Sequence, residues 1–382
     1  MKIMKKAVAF AMTIAMVGSL AACGSQKETE TKTEKTEQSS EKETTENSGP
    51  EGKKIGFINA GADDYYAAFG TALVTMAEAN GMEVTELNSD YSSETELANC
   101  QDLISKGVDA IACITAGAAG SAATIKAAND ADIPIFFIVG QPETEEGSDY
   151  QGWVSDNYAM IGYELGKWVG ENYPDSKDKI ALVPGVFGQN TAEAEIVGFN
   201  MGLDEADLGE AYVTASGEWT AAKAIPAVED LVASGKDIDV IFACNEEMAR
   251  GTLQVLEENG IDDVAVVSIN GKEEAWDWLK DDKLMATGLD CPNLDADLCV
   301  QQMTAYFSGE DFEKDLNIKP STVLTKDNLD KAIPWVMEDY LAARDKGTFQ
   351  YELKDYEADY NENKDLFDEF SEKVAEYNEA AQ

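Results

Sequence analysis

Short apolar runs alternate with stretches of helical spacing from residue 54 to residue 289, and no other feature restricts the fold as strongly. The runs at 54–58, 82–87, 109–114 and 133–139 have the length and apolar character of strands buried on both faces. Helical patterns at 65–80, 93–106 and 120–131 separate them, and Gly81 and Gly107 stand where the first two should end. A short segment at 152–155 and a helix over 158–171 follow, and then the rhythm restarts. Strands at 179–183, 211–216, 240–244, 264–269 and 286–289 alternate with helices at 191–203, 221–234, 246–259 and 273–280. Strand–helix alternation builds a parallel sheet with helices on both faces. Two such series in tandem predict an α/β chain of two similar lobes.

The sharpest corner in this pattern falls at Asn245. Val240, Ile241, Phe242, Ala243 and Cys244 form the strand before it, and Glu246 and Glu247 open the helix after it. Carboxylates suit the positive end of a helix dipole. Ligands of open α/β sheets bind at the carboxyl ends of strands, which makes Asn245 a candidate ligand residue. The same residue type is also a good helix cap, and the corner alone leaves both roles open.

Composition removes whole classes of function. The chain has 382 residues, enough for two domains, and 44% are hydrophobic, enough for a sizeable core. A formal net charge of −45 repels nucleic acid phosphates, so no nucleic acid partner is expected. There is no His, which takes away the commonest general base and the commonest metal ligand. No G-x-S-x-G elbow or zinc-ligand cluster replaces it, so the chain is not expected to be an enzyme. The oxygen-rich stretch at 355–363 lacks the Gly and the placed Glu of a calcium loop, and neither metal nor cofactor is expected.

Residues 1–23 read as a processing signal. Lys2, Lys5 and Lys6 precede an apolar stretch at 7–17 that is short for a membrane span. Leu20, Ala21, Ala22, Cys23 and Gly24 then resemble a bacterial lipobox, in which the Cys is lipidated and becomes the new N-terminus. Cys23 would anchor the chain outside the cytoplasmic membrane of a bacterium, with a Gram-positive one expected. Residues 24–52 are rich in Glu, Lys, Thr and Ser and too poor in apolar residues to order themselves, as a tether would be. Beyond Cys23, Cys100, Cys113 and Cys244 fall in apolar patterns and read as small buried hydrophobes. Cys291 and Cys299 are left as a possible pair. The tail differs from the rest. An amphipathic helix is expected over 328–346 around Trp335, Val336, Tyr340 and Leu341. An acidic helical extension follows over 346–382, with Leu366, Phe367, Phe370, Val374 and Tyr377 at helical spacing to pack on the body.

Several stretches in shared order carry a resemblance to a known family. Glu96, Leu97, Ala98 and Asn99 lead to Leu103, Lys106 and Gly107; Ala128 and Asn129 precede Ile133 and Pro134; Ser155, Asp156 and Asn157 follow. The most specific is the run from Phe242 to Gly251, and Lys283, Leu284, Met285, Ala286 and Thr287 come after it. Over about residues 54–325 the chain resembles the type I periplasmic binding proteins of ABC transporters, and most of all the ribose/galactose-type sugar binders. The resemblance implies two Rossmann-like lobes joined by three crossover strands, near Ser155, Asp290 and Pro320. It implies a first lobe of 53–155 plus 291–320 and a second of 156–290 plus 321–345. It implies that a small ligand, a sugar or polyol, is captured as the lobes close on a hinge and passed to ABC permease subunits by a monomer.

The family's site maps onto this sequence residue by residue. The loop after the first strand supplies a polar residue and an aromatic pair, here Asp63, Tyr65 and Tyr66. The second lobe's aromatic falls on Trp219, its amide on Asn245, its usual Asp on Asn270, and the residue at the return hinge on Asp290. Aromatic walls with polar edges suit a sugar ring. Two positions depart from the family. Its Asp-Arg after the fourth strand is replaced by Val139 and Gly140, with Gln141 next, and its Arg in the following helix falls on a Glu, assigned to Glu195. Arg donates to several hydroxyls in a fixed fork, and Glu does not. A cleft with Asp63, Glu195, Asp290 and aromatics also suits a cationic ligand, such as an amino sugar, polyamine or quaternary amine. A sensory receptor of the same fold, presenting its ligand to a membrane signalling partner, is the other alternative.

Overall fold

The computed structural model describes residues 49–381 apart from 188 and 319–322. The signal, Cys23 and nearly all of the expected tether lie outside these residues, as does Pro320. The first part of the chain runs β1 (Lys54–Asn59), α1 (Asp64–Ala79), β2 (Glu83–Asn88), α2 (Ser93–Lys106), β3 (Ala110–Cys113), α3 (Ala118–Asp130), β4 (Ile135–Ile138) and β5 (Gly152–Asp156). It continues with α4 (Tyr158–Asn172), β6 (Ile180–Val183), α5 (Asn190–Glu205), β7 (Tyr212–Val213), α6 (Ala221–Ala233), β8 (Val240–Ala243), α7 (Glu246–Glu258), β9 (Ala265–Asn270), α8 (Glu273–Lys280) and β10 (Ala286–Leu289). It ends with α9 (Pro292–Ser308), β11 (Asp315–Ile318), β12 (Val323–Leu324), α10 (Met337–Asp345) and α11 (Leu353–Ala381).

These strands form two sheets, ordered β11-β5-β4-β3-β1-β2 and β12-β10-β9-β8-β6-β7. Every pairing is parallel except that of β12 with β10. The two-series α/β pattern is therefore the architecture. Strands β3, β4, β6 and β8 are buried at every residue, which is why they read as continuous rather than alternating apolar runs. The chain leaves the first sheet at the end of β5 and enters α4; it leaves the second at the end of β10 and enters α9. Asp156, Asn157, Asp290 and Cys291 occupy these two crossings.

Local chemistry explains most boundaries. Ser92 caps α2 through Thr95 N, and Gly107, at φ 71°, ends it. Helices α4 and α5 pack backbone to backbone because a Cβ on Gly198 would overlap the carbonyl of Ala159.

Two expectations need correction, and one open question closes. The strand expected over 211–216 shortens to Tyr212–Val213, because it is an edge strand pairing only with Ala181 and Leu182 before the chain turns away. The helix expected over 328–346 is broken: a 3-10 turn at Leu329–Lys331 and α10 flank Pro334, which cannot continue a helical hydrogen-bond ladder. Cys291 and Cys299 do not pair; both are buried free thiols.

The tail wraps the body on two flanks. In α10, Tyr340 is fully buried and its hydroxyl donates to Asp297 of α9 (3.0 Å), while Arg344 pairs with the same carboxylate (2.9 Å). In α11, Phe367, Phe370 and Val374 are buried, so the expected stripe does pack on the body. Glu357 near its start accepts a hydrogen bond from Glu313 N just before β11, and Phe370 meets the Tyr163 ring of α4 at 5.3 Å. The helix thus touches the first sheet at β11 and the second lobe at α4.

Candidate functional site

The loop after β1 is built around a cap. Asp63 Oδ1 accepts from Tyr65 N (3.0 Å) and Tyr66 N (3.1 Å), satisfying the open N–H groups of α1. Its other oxygen accepts from the Tyr91 hydroxyl. Asp63 is thus engaged in holding the loop, and it presents Tyr65 and Tyr66 side by side, with ring centroids 5.2 Å apart and nearly perpendicular. Burial pushes the Tyr66 phenol up to about 12, so both tyrosines are neutral donors at ordinary pH.

Tyr65 faces the crossings. Its hydroxyl lies 2.7 Å from that of Tyr158, the first residue of α4. Behind the pair sit three buried carboxyls, Asp156, Asp290 and Asp295. Asp156 Oδ2 accepts from Cys291 N (3.1 Å) and Asp295 Oδ2 from Asp156 N (3.3 Å), so each crossing is tied to the other. Burial, and then the neighbouring carboxyls, hold Asp156 and Asp295 well above the usual carboxylate range. Burial raises Asp290 to about 6, against hydrogen bonds from Asp156, Asn270 and Tyr65. Two carboxyls that hydrogen-bond one another share a proton, so the Asp156–Asp290 pair carries one negative charge instead of two.

On the second lobe, Asn245 takes the cap role. Its Oδ1 caps α7 by accepting from Met248 N (2.8 Å), and its Nδ2 donates to the Trp219 carbonyl (3.1 Å). A side-chain amide still has one hydrogen and one lone pair to spare. Trp219 is half-buried, its Nε1 donating to Gln189 (2.6 Å), and its indole fills the space where a Cβ on Gly185 would lie. Asn270 Nδ2 reaches Asp290 Oδ2 at 3.2 Å. Tyr65, Asn270 and Asp290 are therefore brought together, and Trp219 with Asn245, whereas Glu195 is buried under the strand ends, where its carboxyl hydrogen-bonds the Cys244 thiol.

Strained backbone marks the same strand ends. Val139 follows β4 at φ 69°, Trp219 stands at 62° and Asn270 at 127°. A β-branched residue at positive φ is a true outlier, and such strain persists where surrounding structure enforces it, often at functional sites.

Gln141 stands apart from the other expected residues, on the wall of a cavity of about 220 Å³ beside the β5–α4 crossing. Asp156, Asn157, Asn190 and Thr191 also line it. No Lys or Arg does so among the described residues. No group of acidic, Cys or His side chains among them is arranged to hold a metal ion.

The residue reading missed four contributors. Tyr158 opens a helical pattern, where it looks like an ordinary position, and Asp295 lies in a stretch the periodicity leaves unassigned. Glu246 looked like a dipole partner, yet it is fully buried and accepts from Gly271 N (2.7 Å), Lys272 N (3.2 Å) and Thr287 Oγ1 (3.0 Å). Trp335 looked like one face of a tail helix. Its ring instead lies 5.8 Å from that of Tyr65, and its Nε1 donates to the Asp290 carbonyl (2.9 Å). The one available signal was Pro334 just before it, which frees Trp335 from the helix.

Comparison with known proteins agrees with this fold. The periplasmic binding protein domain family matches residues 55–311. The galactofuranose-binding protein YtfQ of Escherichia coli is 23% identical over 282 residues, covering 72% of this chain and 86% of that protein. The ribose import binding protein RbsB of Bacillus subtilis is 27% identical over 247 residues, covering 63% and 77%. Among solved structures, a galactofuranose binding protein superposes with a TM-score of 0.66 at 22% identity, over 78% of this chain and 100% of that one. An ABC transporter solute binding protein from Mycobacterium smegmatis with bound glycerol also gives 0.66, at 24% identity over 73% and 96%.

Proposed function

The chain belongs to the periplasmic binding protein family, and from that premise we propose that it captures a small neutral sugar or polyol between its two lobes and delivers it to an ABC permease. The observation that carries this reading is the meeting of Tyr65, Asn270 and Asp290 where the carboxyl ends of the two sheets approach the crossings. Aromatic rings there match the apolar face of a sugar, and amide and carboxyl groups match its hydroxyl rim. The names of the relatives, a galactofuranose binder and ribose importers among them, support the same class of ligand.

A cationic ligand is the weaker reading. The buried carboxyls invite one, but the proton shared between Asp156 and Asp290 leaves that pair one negative charge instead of two, and Asn270 already donates to it.

The protein binds its ligand unchanged and acts as a monomer held at the outer face of a Gram-positive cell membrane through a lipid on Cys23. The lipobox around Cys23 supports the anchor, and Cys23→Ser should leave the protein unlabelled by fatty acid.

The deciding experiment is a thermal-shift screen of sugars, polyols and amines on the full-length chain in detergent. A ligand that binds only the native state raises its melting temperature. Stabilisation by sugars or polyols is expected. Stabilisation by amines alone would overturn the ligand class, and consumption of the stabilising compound would overturn the binding-protein reading.

A further inference from the structure

The matched family region ends at residue 311, and α11 lies wholly beyond it. Yet α11 lines the cavity beside the β5–α4 crossing, with Phe370, Ser371, Val374, Ala375 and Asn378. Opposite it stand Gln141, after β4 of the first sheet, and Asn190 and Thr191, at the start of α5 in the second lobe. The cavity therefore has three walls: one from each lobe and one from the tail.

Two buried polar atoms on this cavity have no partner among the described residues. Asn157, only 4% exposed, has a free Nδ2, and Asn317 has a free Oδ1. Both residues line the cavity. A buried donor or acceptor left unpaired is destabilising, so such groups persist where something else meets them. A hydroxyl both donates and accepts, and a polyol with neighbouring hydroxyls satisfies an amide hydrogen and an amide oxygen together. Phe370, Val374 and Ala194 supply the apolar remainder. At about 220 Å³ the cavity is smaller than the roughly 300–1,000 Å³ of ordinary ligand pockets, which favours a single small sugar or polyol over an oligosaccharide.

We propose that this cavity, which shares Asp156 and Tyr158 with the cluster around Tyr65 and Asp290, is part of the ligand site, that α11 is its third wall, and that Asn378 and the small Ala375 set which sugar or polyol fits against Asn157. This rests on the reading of the cleft as a sugar site. The helix is a fixed wall rather than a loose tail, because its buried Phe367, Phe370 and Val374 and its Glu357 contact hold it to the body.

The test is calorimetric titration of the full-length chain in detergent with D-ribose, xylitol, myo-inositol and glycerol. Two variants are compared with the wild type: Ala375→Trp, which fills the cavity from an exposed helix position, and Asn378→Ala. Melting temperature serves as the folding control for both. Ala375→Trp is expected to weaken binding tenfold or more, and Asn378→Ala to change the preference between two of the probes at least threefold. If the wild type binds and both variants bind with wild-type affinities and preference, α11 is not part of the site and the sugar-site reading stands. If the wild type binds none of the probes, both readings fall together.

Discussion

The hydroxyls of Tyr65 and Tyr158 lie 2.7 Å apart, joining the first turn of α1 to the first residue beyond the β5 crossing. One side belongs to α1 of the first lobe and the other to the second lobe's first helix, so the bond spans the hinge. Tyr65→Phe and Tyr158→Phe should each cost about 1 kcal/mol of stability, and the double variant little more than either alone. A double-mutant cycle by urea denaturation reads this; full additivity would show that the two hydroxyls do not act as a pair.

Asp290 is held near pH 6 by burial, above the roughly 4 of an unfolded aspartate. The native chain binds that proton more tightly than the unfolded chain does. The stability it contributes is fully present below about pH 4 and is lost as the pH rises through about 6. Asp290→Asn cannot ionise, so it should gain about 1–3 kcal/mol over the wild type at pH 7 and almost nothing at pH 4. Melting curves across that window check the sign; an equal effect at both ends would contradict it.

The Trp219 indole fills the place of a Gly185 side chain. Gly185→Ala should push the ring aside and weaken sugar binding about tenfold, with a shifted tryptophan emission. Trp219→Ala should abolish the ligand-induced thermal shift while the protein stays folded. An undiminished shift in Trp219→Ala would remove that residue from the site.

Glu246 ties α7 to the loop after β9 and to β10 through Gly271 N, Lys272 N and Thr287 Oγ1. Its carboxyl is raised to about 8 by burial, against those three bonds. Glu246→Ala leaves its partners unsatisfied and should cost about 2–4 kcal/mol, whereas Glu246→Gln keeps an acceptor and should cost clearly less. Equal losses in denaturant would mean that packing volume, rather than hydrogen bonding, is what Glu246 supplies.

The fold was legible because buried parallel strands must be continuously apolar and the helices between them must carry a stripe. Phe242 and Ile135 announce themselves in that way, and so do the helix ends at Gly81 and Gly107. The site was legible only where residue type and position coincide with a strand end, as at Tyr65, Asn245 and Asn270. Glu246 was misread because a carboxylate in a first helical turn has a local explanation, and local reasoning stops there. Glu195 shows the reverse: the family resemblance assigned it to the cleft, and the structure buries it against the Cys244 thiol.

By itself, then, the sequence determined the two-series α/β order, the acidic surface and the absence of a histidine-based chemistry, since each follows from composition or from periodicity along the chain. Only the tertiary structure decided that Asp156, Asp290 and Asp295 meet at the crossings, that Trp335 returns from the tail to face Tyr65, and that α11 walls the cavity. Those contacts join residues far apart in the chain, and no period of 2 or 3.6 residues encodes them.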